Sequence, residues 1–319
     1  MQLTLAHSPD PDDAFMWWPL TGKIEPPDQP WTATSPVHHS KAITTPALDT
    51  GPYQFKALPA DIEALNRRAI ATGDIEVTAL SLRAWADVQD RYIITSCGAS
   101  FGDGYGPKLV ARADNTRLNC HNCLRPPTVR IAIPGRRTTA FLMLGLVLGL
   151  KPESPTTRFV EMPFDQIIGA VARGEVDAGL VIHEGQLTFG DAGLKLLLDV
   201  GQWWKQRTGL KLPLGVNAIR RDLGNSAISS ISDLLRRSVR YAMDRWDESV
   251  AYTRPFADAN ARRGGGAPST LERLDAYCRM YVTPETADMG DAGRESIRRL
   301  LSEGAAAGLC PPVGRVETV

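Results

Sequence analysis

One block occurs twice in this chain: an amphipathic helix, a glycine, an acidic residue and an apolar strand. In the first copy Ile62, Leu65, Ala69 and Ile70 recur at helical spacing, Gly73 stops the helix, and Ile75, Val77 and Ala79 alternate with Glu76 and Thr78. In the second copy Phe164, Ile167, Ile168 and Val171 lie at i, i+3, i+4 and i+7, Gly174 stops the helix, and residues 176–182 form an apolar strand. Gly73-Asp74-Ile75-Glu76-Val77 aligns with Gly174-Glu175-Val176-Asp177-Ala178. Helix–glycine–strand is also common grammar in α/β proteins, so the repeat alone does not require two equivalent units. Its sharper reading is two similar α/β lobes, each bringing polar groups from a strand end into a shared cleft.

The length suits that reading. A chain of 319 residues is long for one core and sufficient for two lobes. Lysine plus arginine and aspartate plus glutamate both number 36, so no global positive field exists to hold a polyanion, which argues against nucleic acid as a partner. The longest uncharged apolar run, residues 138–150, is too short to span a bilayer, so no membrane partner is expected. The first ten residues lack the basic start and apolar stretch of a signal peptide. The five cysteines are scattered and odd in number, which suits a reducing compartment. A cytoplasmic location is therefore expected.

The remaining segments fill in the two-lobe scheme. Leu3 and Leu5 mark a first strand, followed by the turn-rich Ser8-Pro9-Asp10-Pro11-Asp12-Asp13 and a helix from Ala14. Residues 25–59 have no sustained period and read as an irregular excursion. Val129, Ile131 and Ile133 alternate as a strand, Pro134-Gly135-Arg136-Arg137 turns, and Thr138-Thr139 opens a helix apolar on all sides. Past Leu210 the chain reads as mostly helical, with amphipathic stretches near 229–249 and 292–307. Strands alternating with helices favour a mostly parallel sheet flanked by helices in each lobe. Residues 1–110 with 206–319 are assigned to lobe I and 111–205 to lobe II.

Several constellations are able to carry chemistry. His183 ends the apolar strand 176–182, where open parallel sheets bind ligands; it suits a general base, or a histidine merely hydrogen-bonded at a strand terminus. Thr138 and Thr139 offer hydroxyls, unpaired N–H groups and a helix dipole to a carboxylate or phosphate, and they equally suit ordinary capping. Thr78 and Ser81 occupy the strand end equivalent to His183 if the repeat is real. Asp10, Asp12 and Asp13 lack the spacing of a calcium loop, and helix capping is the favoured reading. Cys120-His121-Asn122-Cys123 supplies three ligands at most, with no second pair at zinc spacing, so no metal is expected. Trp203-Trp204 either stacks on a flat ligand or packs at the lobe junction.

Three segments together resemble the 1,4-dihydroxy-6-naphthoate synthase family of the futalosine route to menaquinone. They are Ile133-Pro134-Gly135-Arg136-Arg137-Thr138-Thr139-Ala140, Gly174 through His183-Glu184-Gly185, and Trp203-Trp204 through Leu212-Pro213-Leu214-Gly215. The resemblance implies a two-lobed α/β fold like the type 2 periplasmic solute-binding proteins, and a lyase acting on cyclic dehypoxanthine futalosine without metal or organic cofactor. It places the proton-accepting histidine on His183. It places substrate contacts on Thr139 and Ala140 with Thr138 beside them and, from the other lobe, on Val77, Thr78 and Ala79; Ser81, from the repeat, and Ser8, in the first loop, are further substrate-binding candidates. The substrate expected is a small molecule bearing a carboxylate. The chain departs from the family's usual Ser-Pro-Cys-Pro-Asn-Asp-Thr opening, reading Ser8-Pro9-Asp10-Pro11-Asp12-Asp13-Ala14, and carries Ala79 where a lysine is common. Competing readings are a non-catalytic solute-binding module for a small acid and the sibling chorismate dehydratase.

Overall fold

The computed structural model describes residues 1–27, 30–154 and 156–319; Asp28 and Gln29 of the expected excursion, and Pro155, lie outside the described residues. Two sheets organise them. The first contains β1 (Gln2–His7), β2 (Gln54–Pro59), β3 (Val77–Ser81), β4 (Tyr92–Ile94), β5 (Ser100–Gly102) and β11 (Leu212–Arg220). Its order is β2-β1-β3-β11-β4, with β5 also pairing β11. The second contains β6 (Lys108–Arg112), β7 (Ile131–Ile133), β8 (Phe159–Glu161), β9 (Ala178–Val181) and β10 (Leu194–Asp199), in the order β10-β6-β9-β7-β8.

The expectation of mostly parallel sheets needs correcting. β1 runs parallel to β2 and β3, but β11 is antiparallel to β3, β4 and β5. In the second sheet β7 runs parallel to β8 and β9, but β6 is antiparallel to β9 and β10. The reversed strands β6 and β11 are those that enter a sheet on arrival from the other one. A strand fed from the cleft side runs against neighbours built by local helical crossovers. The two connecting segments touch: a Cβ on Gly201 would fall 1.8 Å from the Tyr105 carbonyl oxygen, so only glycine fits there.

The excursion is also partly corrected. Its last six residues form β2, an edge strand in register with β1, Leu3 opposite Phe55 and Leu5 opposite Ala57. Phe55, Ala57, Leu58 and Pro59 are buried while Gln54 is exposed, so the alternation is short and blurred toward its end. Pairing with β1, rather than sequence period, makes this strand. Upstream, buried Trp31 is held by its indole N–H on the Pro36 carbonyl, 3.1 Å.

Helices close both faces. The helix Pro11–Thr21 is buried along its whole length under the helices Asn225–Asp244 and Trp246–Gly264, and Leu3, Phe15, Trp17, Ile231, Leu235 and Val239 share one core. A second core spans both sheets and includes Leu80, Ile133, Met143 and Trp204. Trp204 is fully buried, with its N–H on the Lys211 carbonyl at 3.2 Å, while Trp203 lies beside Arg207; the pair therefore packs the junction. Among the described residues no helix is long and apolar enough to cross a membrane.

Candidate active site

Between the sheets lies a cavity of about 90 Å³. Its wall takes Ser8, Asp10, Asp12 and Asp13 from the first loop and helix, and Ala79, Leu80 and Ser81 from β3. Thr138, Thr139 and Ala140 come from the start of the helix Thr139–Leu148, and His183 from the end of β9. Tyr277 and Tyr281, one turn apart on the helix Leu271–Tyr281, complete one side.

His183 is the unusual member. Directly after β9 its backbone turns left-handed, φ 54°, the one non-glycine residue with positive φ among those described. Such a conformation costs of order 1–3 kcal/mol and persists only where surroundings fix it. Here the ring is buried, wedged edge-on against Phe164 at 4.6 Å between centroids, and its Nδ1 is ion-paired with Asp10. Nε2 is buried with no partner. A carboxylate on Nδ1 fixes the tautomer that leaves Nε2 bare when the ring is neutral.

The charges around it are unevenly placed. Burial pushes the His183 imidazole toward neutrality, but the Asp10 carboxylate outweighs this and holds its pKa above the ordinary 6.5. Burial likewise disfavours ionised Asp10, and His183 outweighs it, holding Asp10 below the usual range. For Asp12 the balance runs the other way: burial and the neighbouring Asp10 outweigh the pull of His183 and push it up to about 8. Asp13 is raised for the same reasons, although its Oδ2 accepts from the Ser8 N–H at 2.7 Å. Thus Asp10 is the ionised member beside two carboxyls held toward neutrality. Asp10 does occupy the position before the helix, yet its side chain makes no capping bond. The capping reading of the three aspartates is therefore corrected: the stronger claim on Asp10 is the buried imidazole.

On the far wall, both threonine hydroxyls are already engaged. The Thr138 hydroxyl accepts from Phe141 N–H at 3.1 Å and donates to the Gly135 carbonyl at 2.8 Å. The Thr139 hydroxyl donates to the Leu214 carbonyl at 2.6 Å and accepts from Arg83 N–H at 3.2 Å. What faces the cavity for an anion is the first-turn backbone N–H groups of Thr139 and Ala140, which a helix leaves unpaired. Val77 and Thr78 are absent from the lining. Thr78 sits mid-sheet between Ala6 and Ala218, and Val77 packs into the core with Leu5 and Phe15. Ser81 lines the cavity with its Oγ accepting from Asn66 at 3.0 Å, and the Ser8 hydroxyl is buried without a partner.

Polar contacts bridge the sheets on both sides of the cavity. On one side Asn260 donates to Glu184 at 2.9 Å and to the Pro9 carbonyl, and Tyr281 donates to Gln186 at 3.0 Å. On the other, Glu63 accepts from Arg137 N–H at 3.1 Å and from Arg67, which also pairs with Glu161. Gly135 lies so close that a Cβ there would meet the Glu63 carboxylate at 2.4 Å. The lobes are therefore drawn together over the cavity. Tyr277, Tyr281, Asn217 and Gln186 were not anticipated from sequence; the two tyrosines at i and i+4 were the available signal. Cys120, His121 and Cys123 lie outside the cavity lining, and among the described residues no group of three or more metal-binding side chains assembles.

A family model described as menaquinone biosynthesis matches residues 3–306. A curated 1,4-dihydroxy-6-naphthoate synthase of Thermus thermophilus is 36% identical over 315 residues, covering 98% of this chain and 97% of that protein. A second protein of that name, from Streptomyces coelicolor, is 33% identical over 98% of this chain and 96% of its own. The crystal structure of an Archaeoglobus fulgidus protein superposes with a TM-score of 0.75 at 36% identity, covering 97% of this chain and 98% of that one. An alkanesulfonate-binding protein of Xanthomonas axonopodis superposes at 0.57 with 16% identity over 81% of this chain and 84% of its own, a likeness of fold alone.

Proposed function

The chain belongs to the menaquinone biosynthesis family and is a lyase of the 1,4-dihydroxy-6-naphthoate synthase kind; on that premise we propose that His183 is its base and that cyclic dehypoxanthine futalosine is its substrate. The observation that carries this reading is the buried Nε2 of His183, without a hydrogen-bond partner, in a cavity walled by both lobes, with Nδ1 held by Asp10. The substrate carboxylate lies against the N–H groups of Thr139 and Ala140, where the helix dipole favours negative charge. Ser8, Ala79 and Ser81 border it from the other lobe. Nε2 takes a proton from the sugar portion. The pair of electrons released drives fragmentation, a sugar-derived piece leaves, and the remaining bicycle becomes aromatic. Aromatisation makes the step strongly downhill, so one positioned base suffices.

A hinge between the lobes would fall where the chain passes between the sheets, at residues 103–107 between β5 and β6 and 209–211 before β11, close to the bounds 110 and 205 expected from sequence. Closure excludes water from the base and brings Asp10 onto His183. The direct experiment is incubation with cyclic dehypoxanthine futalosine and detection of 1,4-dihydroxy-6-naphthoate. Binding of the substrate without any product would favour a solute-binding role instead.

A further inference from the structure

The Cys120-His121-Asn122-Cys123 turn belongs to the second lobe and takes no part in the cavity. Cys120 and Cys123 sit at the two ends of one short 3₁₀ turn, closed by the Cys123 N–H on the Cys120 carbonyl at 3.1 Å. That turn sets the two sulfurs 3.2 Å apart, facing each other, and both residues are half-buried rather than enclosed. The three other thiols differ in every respect. Cys97, Cys278 and Cys310 are buried, unpaired with one another, and burial raises each thiol above its ordinary value, Cys97 to about 12. Hydrogen bonding to the Asn119 backbone and to Cys120 instead draws the Cys123 thiol below the ordinary range.

The turn is rigidly mounted. Leu124 is buried beneath it, Arg158 donates to the Leu124 and Pro126 carbonyls, and Arg125 donates to the Leu148 carbonyl at 2.9 Å. Leu148 ends the helix whose first turn lines the cavity. The sulfurs are therefore presented to solvent by a fixed frame and need no unfolding to meet.

We propose that Cys120 and Cys123 form a reversible dithiol–disulfide site, oxidised by thiol–disulfide exchange with a small-molecule disulfide. The Cys123 thiolate attacks one sulfur of the small disulfide, forming a mixed disulfide and expelling one small thiolate. The Cys120 thiolate then attacks the Cys123 sulfur, forming the intramolecular bond and expelling the second. The two cysteines lose two electrons and two protons, and the small disulfide becomes two small thiols.

The test uses the whole reduced protein, folded, with glutathione disulfide and a metal chelator present. Remaining thiols are then alkylated in denaturant and mapped by peptide mass. The expected result is a peptide holding both cysteines that has lost two hydrogens and carries no alkyl group, while Cys97, Cys278 and Cys310 are alkylated in full. The Cys120→Ser variant, unable to resolve, should accumulate a stable glutathione adduct on Cys123. The proposal is overturned if wild type keeps separate adducts on each cysteine, if both stay free, or if the buried thiols oxidise as fast. Because the readout is chemical, it does not depend on the assigned lyase activity.

Discussion

The two copies of the repeated block have diverged in opposite directions. The first strand end, β3, stays regular: Ser81 leads straight into the short helix Leu82–Trp85, and its polar groups are matched by Asn66. It offers the cavity small, uncharged residues. The second strand end breaks its geometry at once, in a left-handed histidine that lines the cavity, with Nδ1 on a carboxylate and Nε2 without a partner. One copy supplies a wall and the other supplies the residue proposed as the base. The carboxylate that completes the second copy comes from neither; it arrives from the loop after β1. Strain at an otherwise regular position, held by a partner from another lobe, is what a site that gives up stability for chemistry would show, and it supports the role proposed for His183.

Replacing the histidine breaks the comparison most severely. Asparagine tolerates the left-handed backbone that most side chains resist, so His183→Asn should fold. It keeps hydrogen-bonding capacity but has no useful basicity. Turnover should fall roughly 10²–10⁴-fold, the usual contribution of a positioned acid–base group, with substrate affinity little changed. Wild-type kcat in this variant, measured by naphthoate formation, would remove His183 from the mechanism.

Next in size is the partner. Asp10 lifts the His183 pKa against the opposing effect of burial, so the acid limb of kcat/KM should lie above 6.5 in the wild type. Asp10→Asn removes the largest contribution that opposes burial and leaves the weaker pull of Glu184 and Asp12, so the limb should move to lower pH. The base is weaker there, so the high-pH plateau should drop about ten- to a thousandfold. A merely structural role for Asp10 would lower activity without moving the limb.

The far wall separates backbone from side chain. The Thr139 hydroxyl is spent on Leu214, whereas the Ala140 N–H is unspent. Proline is tolerated in a first helical turn and removes that N–H. Ala140→Pro should therefore weaken apparent affinity about tenfold or somewhat more, the loss of one charge-assisted bond of about 1.5–3 kcal/mol. Thr139→Val should cost less. If binding isotherms rank them the other way, the hydroxyl, and not the backbone, holds the anion.

The repeat, the buried apolar helix and the position of His183 were legible because each is a local pattern of period or punctuation. β2 was not, because an edge strand whose alternation is lost from Leu58 on is made by its neighbour. The sheets' mixed direction was not, because strand polarity depends on which lobe the chain arrives from. The roles of Asp10, Asp12 and Asp13 were misread for the same reason. Three aspartates before a helix look like caps until a histidine from the far lobe is placed among them. Tyr277 and Tyr281 lay in an unremarkable amphipathic helix and acquired meaning only from its docking.

The smallest expected effect concerns the latch on the non-catalytic side, centred on Glu63. Its carboxyl is mostly buried between the lobes, and burial pushes its pKa from the ordinary 4.5 to about 7 despite the hydrogen bond from Arg67. With the lobes apart it regains water and its ordinary value. A group whose pKa is higher in the closed form favours closure most fully below the open-form value and loses that contribution as pH rises through the closed-form value. Closure should thus take up a proton between about pH 4.5 and 7, and apparent substrate affinity should weaken a few-fold from pH 6 to pH 8. Glutamine mimics the protonated carboxyl, so Glu63→Gln should flatten that slope while leaving kcat and the His183 limb in place. The measurement is substrate affinity against pH in the His183→Asn background, where turnover does not interfere. A slope that persists unchanged in the Glu63→Gln, His183→Asn double variant would assign the proton to the acidic cluster around Asp12 instead, and would place the closure switch on the same side of the cavity as the base.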